Sequence, residues 1–185
     1  MHMFAPENRF HGGHGIVGGH IPLATGMGFA AAYEGCDDAT LCFFGDGALN
    51  QGAFYESLNL ASLWELPVIY LLENNAYAMG PPLSRASAIS DLYTKAKAFG
   101  MHGEVVDGMD VAATWKTVGE ALSRAREEKR PTLLEVRCYR FRGHSMSDPA
   151  KYRTSEEVAE RKTGDPIVLA VNTLLSRGWA TEEEI

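Results

Sequence analysis

Two short apolar runs stand out along the chain, Leu41-Cys42-Phe43-Phe44 and the stretch "VIYLLE" from Val68 to Glu73. Runs of this length without alternation are the pattern of strands buried on both faces, as in a parallel sheet. Between them, from about Asn50 to Trp64, Phe54, Leu58 and Ala61 recur at i, i+4 and i+7, the spacing of one helical face. Strand, helix and strand in this order predict a βαβ unit. Before the first run, "PLATGMGFAAAY" from Pro22 to Tyr33 predicts a helix with proline in its first turn and Gly35 as its stop. Gly26 and Gly28 inside it predict close approach of another helix, in the core or at a subunit interface.

The rhythm then repeats. "EVVDG" predicts a short strand, and Asp110 caps a helix with Val111, Trp115, Val118 and Leu122 on one face. After Pro131, "TLLEVRCYRF" predicts another strand. The fold class is α/β, a parallel sheet with flanking helices, in one domain over residues 1–185. From residue 142, "RGHSMSDPAKYRT" predicts a long polar loop over 142–154, after which helical patterns resume, and "WATEEEI" predicts a further helix start.

Composition narrows the function classes. At 185 residues, 45% hydrophobic and 22% charged, the chain can bury one proper core. A net charge of -7 without a basic run argues against nucleic acid as a partner. The apolar stretch near the start is broken by Gly, His and Pro, which speaks against a signal peptide or a spanning helix, so the cytoplasm or an organellar matrix is the expected location. Cys36, Cys42 and Cys138 lack CxxC spacing and predict buried free thiols.

The chemistry concentrates in "FFGDGALNQG" and "LLENNAYAMG". Asp46 stands between Gly45 and Gly47 on a strand-to-helix turn, where two missing Cβ atoms predict unusual φ/ψ values and close backbone approach to a ligand. Asn75 follows the next predicted strand, 29 residues on (75 minus 46), about one strand-helix-strand unit. Alone, Asp46 reads as a helix N-cap and Asn75 as a turn residue. Together, at the carboxyl ends of adjacent parallel strands, an anionic and an amide oxygen read as a magnesium site that shares its cation with a diphosphate. His2, His11, His14 and His20 lie in glycine-rich loop without a fixed face, and read as loop histidines near an anionic cofactor rather than zinc ligands.

The segment from "GDG" at Gly45 to "NN" at Asn75 is similar to the thiamin diphosphate motif. "MHMF", "GGHGIVGGHIPLATG", "VDGMD" and "YRFRGHSMSDP" resemble the α subunit of the two-subunit 2-oxo acid dehydrogenases. "GHSMSDP" and "NNAYAMG" look more like the E1 component acting on pyruvate than the branched-chain or acetoin enzymes. The resemblance implies thiamin diphosphate and Mg2+ as cofactors. Asp46 and Asn75 would ligate magnesium with the backbone carbonyl of Tyr77, and Gly47 and Ala48 would approach the diphosphate. Gly15 and Val17 would lie against the aminopyrimidine, and Ala5 would border the substrate. His144 would stand over the diphosphate and the substrate entrance, either orienting substrate and assisting acyl transfer or only binding phosphate and fixing its loop.

The activity so implied is decarboxylation of pyruvate with transfer of the acetyl group to a lipoyl carrier. Its partners would be a β subunit in an α2β2 assembly, which supplies the glutamate that activates the cofactor, and the lipoyl domain of the E2 acyltransferase. Family members begin earlier, with helices bearing a Tyr-Arg pair, and continue past Ile185. The expectation is therefore a fragment truncated at both ends, inactive by itself, with apolar surface exposed on the helix over 22–33. In eukaryotic relatives the loop of Ser145 and Ser147 is phosphorylated; "DPAKYRT" lacks the serine expected before its tyrosine, and no kinase control is expected. The competing reading is a cofactor half-site or assembly module without turnover. A magnesium-dependent phosphotransfer domain is more distant, since no P-loop lysine accompanies the GDG turn.

Overall fold

The computed structural model describes residues 2–185. Four strands form one sheet in the order β1-β2-β4-β3, all parallel: β1 (Thr40–Gly45), β2 (Val68–Asn74), β3 (His102–Asp107) and β4 (Thr132–Arg137). The predicted βαβ unit is present, with α2 (Gly52–Leu63) between β1 and β2. β4 inserts between β2 and β3, so both central strands are covered on both faces. Their residues follow suit, with Val68 to Leu72 and Thr132 to Val136 all buried.

Strand alternation sends neighbouring residues to opposite layers. Tyr70, Leu72 and Leu133 join Phe44, Phe54, Leu58 and Ile21 in the larger core, under α1 (His20–Glu34) and α2. Leu71, Leu134, Val136 and Ile69 meet α4 (Val111–Glu127) on the other side, through Val118, Ala121 and Ala125. The face of α2 predicted from Phe54, Leu58 and Ala61 is fully buried.

Local signals explain the element ends. Gly35 takes the left-handed conformation, φ 67°, and closes α1. Asp110 accepts hydrogen bonds from the amides of Ala112 and Ala113 and caps α4. β4 ends at Arg137, short of the predicted Phe141, because its neighbours β2 and β3 end in register with it at Asn74 and Asp107. A short α3 (Leu83–Ala86) and a 3-10 helix at Leu92–Phe99 fill the β2-to-β3 crossover, where no helix is predicted. α5 (Ser155–Lys162) and α6 (Pro166–Ser176) follow the polar loop. "WATEEEI" makes one turn, in which the Glu184 carboxylate accepts from the Thr181 amide and hydroxyl as in a capping box.

Four expectations are corrected. The buried face of α4 is Thr117, Ala121 and Ala125, while Val111 and Trp115 are 61% and 81% exposed. The helix is turned by about a quarter turn from the predicted face, because three small residues let it approach the sheet where Trp115 could not. Gly28 admits a strand rather than a helix: a Cβ there would lie 2.3 Å from Cγ2 of Val68 on β2. Gly45 and Gly47 take no left-handed backbone. Of the three free thiols only Cys42 is buried, Cys36 and Cys138 being half-buried.

Gly28→Ala is therefore expected to destabilise the fold by about 1–3 kcal/mol through overpacking. Gly26→Ala, whose Cβ would meet nothing within 4 Å, is expected to be neutral or to stabilise by up to about 1 kcal/mol through helix propensity. Thermal unfolding of the two variants side by side checks this; equal Tm values would contradict the close approach of α1 to β2.

Candidate cofactor site

β1 and β2 run side by side with Gly45 opposite Glu73, so their carboxyl ends deliver Asp46 and Asn75 to one edge of the sheet. Asp46 opens a 3-10 turn, Asp46–Asn50, before α2 begins. It caps neither element: Gly45 and Gln51 hold the two N-cap positions, without a side-chain cap bond. The residue is 3% exposed, and neither carboxylate oxygen has a hydrogen-bond partner. Burial drives its pKa above the ordinary carboxylate range, opposed by the nearby backbone amides of Asp46 and Asn75 and by the Arg140 guanidinium. A buried acid without a partner is costly, and a cation bound by it would remove that cost.

The second turn is folded around its own side chains. Asn74 Oδ1 accepts from the Ala76 amide at 3.2 Å and Asn75 Oδ1 from the Tyr77 amide at 3.3 Å, with Ala76 held at φ 70°. Gly47 brings the two turns into contact, since a Cβ on it would lie 2.9 Å from the Cβ of Ala78. Asn50 adds a tie, donating to the Ala86 carbonyl at 3.2 Å. Cys138 lies in the same field: burial, then the carboxylates of Glu73 and Asp46, push its thiol up to about 11. A thiol so placed is no nucleophile near neutrality.

The loop over 142–154 folds back onto these turns through Arg140. Its Nη1 donates to the carbonyls of Tyr77 (3.3 Å) and Ala78 (2.9 Å), and its Nη2 to the Met79 carbonyl and the Tyr152 hydroxyl, both at 3.0 Å. Arg140 Nη1 also lies 3.3 Å from Nδ1 of His144. Arginine can only donate, so that contact makes Nδ1 the acceptor and leaves the proton of the neutral ring on Nε2. Asp148 closes the loop by accepting from the His144 amide (2.7 Å), the Ala150 amide (2.9 Å) and the Tyr152 hydroxyl (2.8 Å). These bonds, led by the His144 amide, hold its carboxyl below the usual range. Arg153 donates to the carbonyls of Arg140 and Arg142.

The other predicted residues divide. Ala48 is buried in the Asp46 turn, and the loop of Gly15 and Val17 abuts that turn, since a Cβ on Gly18 would lie 3.0 Å from Gln51 Cγ. Gly15 and Val17 are themselves exposed. His20 Nε2 lies 2.7 Å from the Phe43 carbonyl, and the rings of His14 and His20 stack at 5.8 Å. Ala5 is not brought to these turns: it pairs with Phe10 in a small hairpin, which Arg9 ties to Asp38 before β1, at the amino edge of the sheet. Sequence reasoning missed Arg140. A cation just past the end of an apolar strand, on the same edge as a buried acid, was its available signal.

Carboxylate, amide and carbonyl oxygens form a hard donor set of the kind magnesium takes, with positions left for phosphate oxygens. Clefts of about 370 and 450 Å³ lie elsewhere, and neither is lined by Asp46 or Asn75.

The family model for the dehydrogenase E1 component matches residues 1–185. The chain belongs to the dehydrogenase E1 component family. Among curated relatives of this E1 chain, the pyruvate dehydrogenase E1 component subunit alpha of Rhizobium meliloti is 53% identical over 186 residues, covering 100% of this chain and 53% of the relative. The Rickettsia felis protein of that name is 48% identical over 185 residues, covering 100% of this chain and 57% of the relative. A chloroplastic alpha-3 subunit of Arabidopsis thaliana is 43% identical, over 100% of this chain and 45% of its own. The chain thus spans about half the length of the curated relatives it matches. A solved structure from Mycobacterium smegmatis, described as a thiamin diphosphate-dependent enzyme, matches 71% of this chain and 24% of its own with a TM-score of 0.56 and 22% identity. That likeness shows the fold.

Proposed function

We propose that this E1 chain is the magnesium- and diphosphate-binding part of an α subunit that decarboxylates pyruvate and passes the acetyl group to a lipoyl carrier. The observation that carries the reading is the buried Asp46 carboxylate, unpartnered and set beside the Asn75 turn. Asp46, Asn75 and the Tyr77 carbonyl would hold Mg2+, while Gly47 and Ala48 present backbone to the diphosphate and Gly15 and Val17 face the aminopyrimidine. When bound, thiamin diphosphate supplies a nucleophilic carbon and an electron sink for loss of carbon dioxide.

The chain's own residues position and neutralise. Asp46 offsets the cation's charge in a buried setting, where the interaction is stronger than in water. His144, its Nδ1 engaged by Arg140, turns an Nε2–H outward that can donate to a substrate carboxylate or a phosphate oxygen. Ala5 is kept as a substrate neighbour that only a rearranged amino-terminal hairpin would bring to the site. The exposed loop of Gly15 and Val17 supports a site completed by a β subunit, with the lipoyl domain of an acyltransferase as acceptor. Among the described residues no helix is long and apolar enough to cross a membrane, and bacterial and chloroplastic relatives support a cytoplasmic or organellar-matrix setting.

The same exposed loop supports a second reading, a cofactor half-site without turnover. Reconstitution with a β subunit and a lipoyl acceptor separates the two. Pyruvate is expected to exceed a branched-chain 2-oxo acid and acetoin in kcat/KM by roughly tenfold or more, the discrimination a few methylenes allow. Preference for either competitor would overturn the substrate; cofactor binding without turnover would favour the half-site.

A further inference from the structure

We propose that Glu135, in the middle of β4, is a positioning residue for the magnesium and diphosphate turn, acting through Asn74. The inference rests on reading Asp46, Asn75 and the Tyr77 carbonyl as the metal site. Glu135 is fully buried between Leu134 and Val136, and its carboxylate receives three donors: Asn74 Nδ2 at 2.8 Å and Arg137 Nε at 2.9 Å on Oε1, and the Tyr93 amide at 2.9 Å on Oε2. All three partners donate, so both oxygens must accept, and only a carboxylate supplies two acceptor oxygens here.

The consequence falls on Asn74. A side-chain amide can be turned either way round, and its orientation follows from the groups that face it. Glu135 accepts only, so it holds the Nδ2 end of Asn74 and leaves Oδ1 for the Ala76 amide at 3.2 Å. That bond accompanies the left-handed Ala76, φ 70°, between Asn75 and Tyr77. The backbone carbonyl of Asn74 is fixed independently by the Cys138 amide at 3.0 Å, so the strand end is pinned while the turn beyond it depends on the side chain. With glutamine at 135, one orientation of the new amide sets its NH2 against the Tyr93 N–H. The other sets it against Asn74 and Arg137, where Asn74 could accept only by turning its own NH2 toward the Ala76 N–H. The first leaves the Asn74 bonds in place and only the second reaches the turn, so Glu135→Leu, which removes both acceptor oxygens, is the sharper variant.

Arg137 shows that the charge is balanced without involving the turn. Its Nη2 continues to Asp91 at 2.8 Å, and its own pKa is raised by the Glu135 and Asp91 bonds. Asp91 is exposed and touches neither ligand turn, so Asp91→Asn is the control for the outer half of the network.

The test uses the protein assembled with its β subunit, titrated calorimetrically with Mg2+ at a fixed excess of thiamin diphosphate. Glu135→Leu and Asn74→Ala are each expected to weaken Mg2+ binding by about 10- to 100-fold, as loss of a group behind a metal ligand does. Asp91→Asn is expected to bind like wild type. In turnover, the two variants are expected to need more Mg2+ while kcat at saturating Mg2+ stays within about threefold of wild type, a split between KM and kcat that general destabilisation does not produce. Wild-type Mg2+ affinity in either variant, whatever its Tm, would overturn the inference. Wild-type protein that binds no Mg2+ with thiamin diphosphate would overturn the metal site itself, and the positioning role with it.

Discussion

Asp46→Asn is expected to make the cation-free protein more stable while removing its capacity for Mg2+ and thiamin diphosphate. Asparagine keeps the shape and drops a buried charge that has no hydrogen-bond partner. Relief of that penalty is expected to be about 1 kcal/mol or more, a rise of about 2–4 °C in Tm for a chain of this size. Magnesium affinity is expected to fall by more than about a hundredfold, since a ligand is lost rather than a group behind one. An ordinary N-cap predicts no gain, since asparagine caps a helix about as well as aspartate.

The pH dependence has the same origin. Asp46 has a folded pKa raised above the ordinary value of 3.8, so the folded chain binds more protons than the unfolded one between the two values. The contribution of Asp46 to the stability of the cation-free wild type therefore falls as pH rises from 3.8 through the folded pKa, and Mg2+ binding strengthens over the same window as the competing proton leaves. Both contributions are expected to be missing from Asp46→Asn, read as the difference between the two proteins. Urea unfolding across pH with and without Mg2+ measures them.

Arg140→Ala is expected to release the 142–154 loop while the sheet stays folded. One guanidinium holds three successive carbonyls, Tyr77 to Met79, together with Tyr152 and His144. Removing it leaves acceptors without a donor and His144 without a tether, a local loss of about 3 kcal/mol. Tryptic cleavage after Arg142 or Lys151 is expected to quicken by roughly a hundredfold, as the open form becomes more populated. Arg140→Lys is expected to fall between, since an ammonium carries the charge without the planar fork. The loop should also loosen in acid. Asp148 has a lowered folded pKa, so its contribution to loop order is present above the ordinary carboxylate value and is lost as pH falls through the lowered one. Wild-type cleavage rates in Arg140→Ala would contradict the account of the loop.

These two residues mark the limit of what the sequence carried. The sheet was legible because its central strands are buried on both faces, and that burial writes itself as an unbroken apolar run in "VIYLLE" and "TLL". The spacing of Asp46 and Asn75 was legible because one βαβ unit has a narrow range of lengths. The face of α4 was misjudged because a helix lying close on a sheet does so through Thr117, Ala121 and Ala125, which weigh little in a hydrophobic pattern beside Trp115. Arg140 and Glu135 were missed for a related reason. A charged residue is read as surface by default, and only the three-dimensional partners show that one spans two loops and the other sits at zero exposure in a strand. Glu135 nonetheless left a trace, a single carboxylate between Leu134 and Val136.

The Asp46 and Asn75 turns are expected to bind the magnesium salt of thiamin diphosphate. The most direct measurement is an equilibrium titration of thiamin diphosphate into the protein assembled with its β subunit, once with Mg2+ and once with EDTA, for wild type and Asp46→Asn. Saturable binding by wild type that needs Mg2+ and is lost in Asp46→Asn is the predicted result. Equal binding in EDTA, or binding that Asp46→Asn leaves intact, would contradict it.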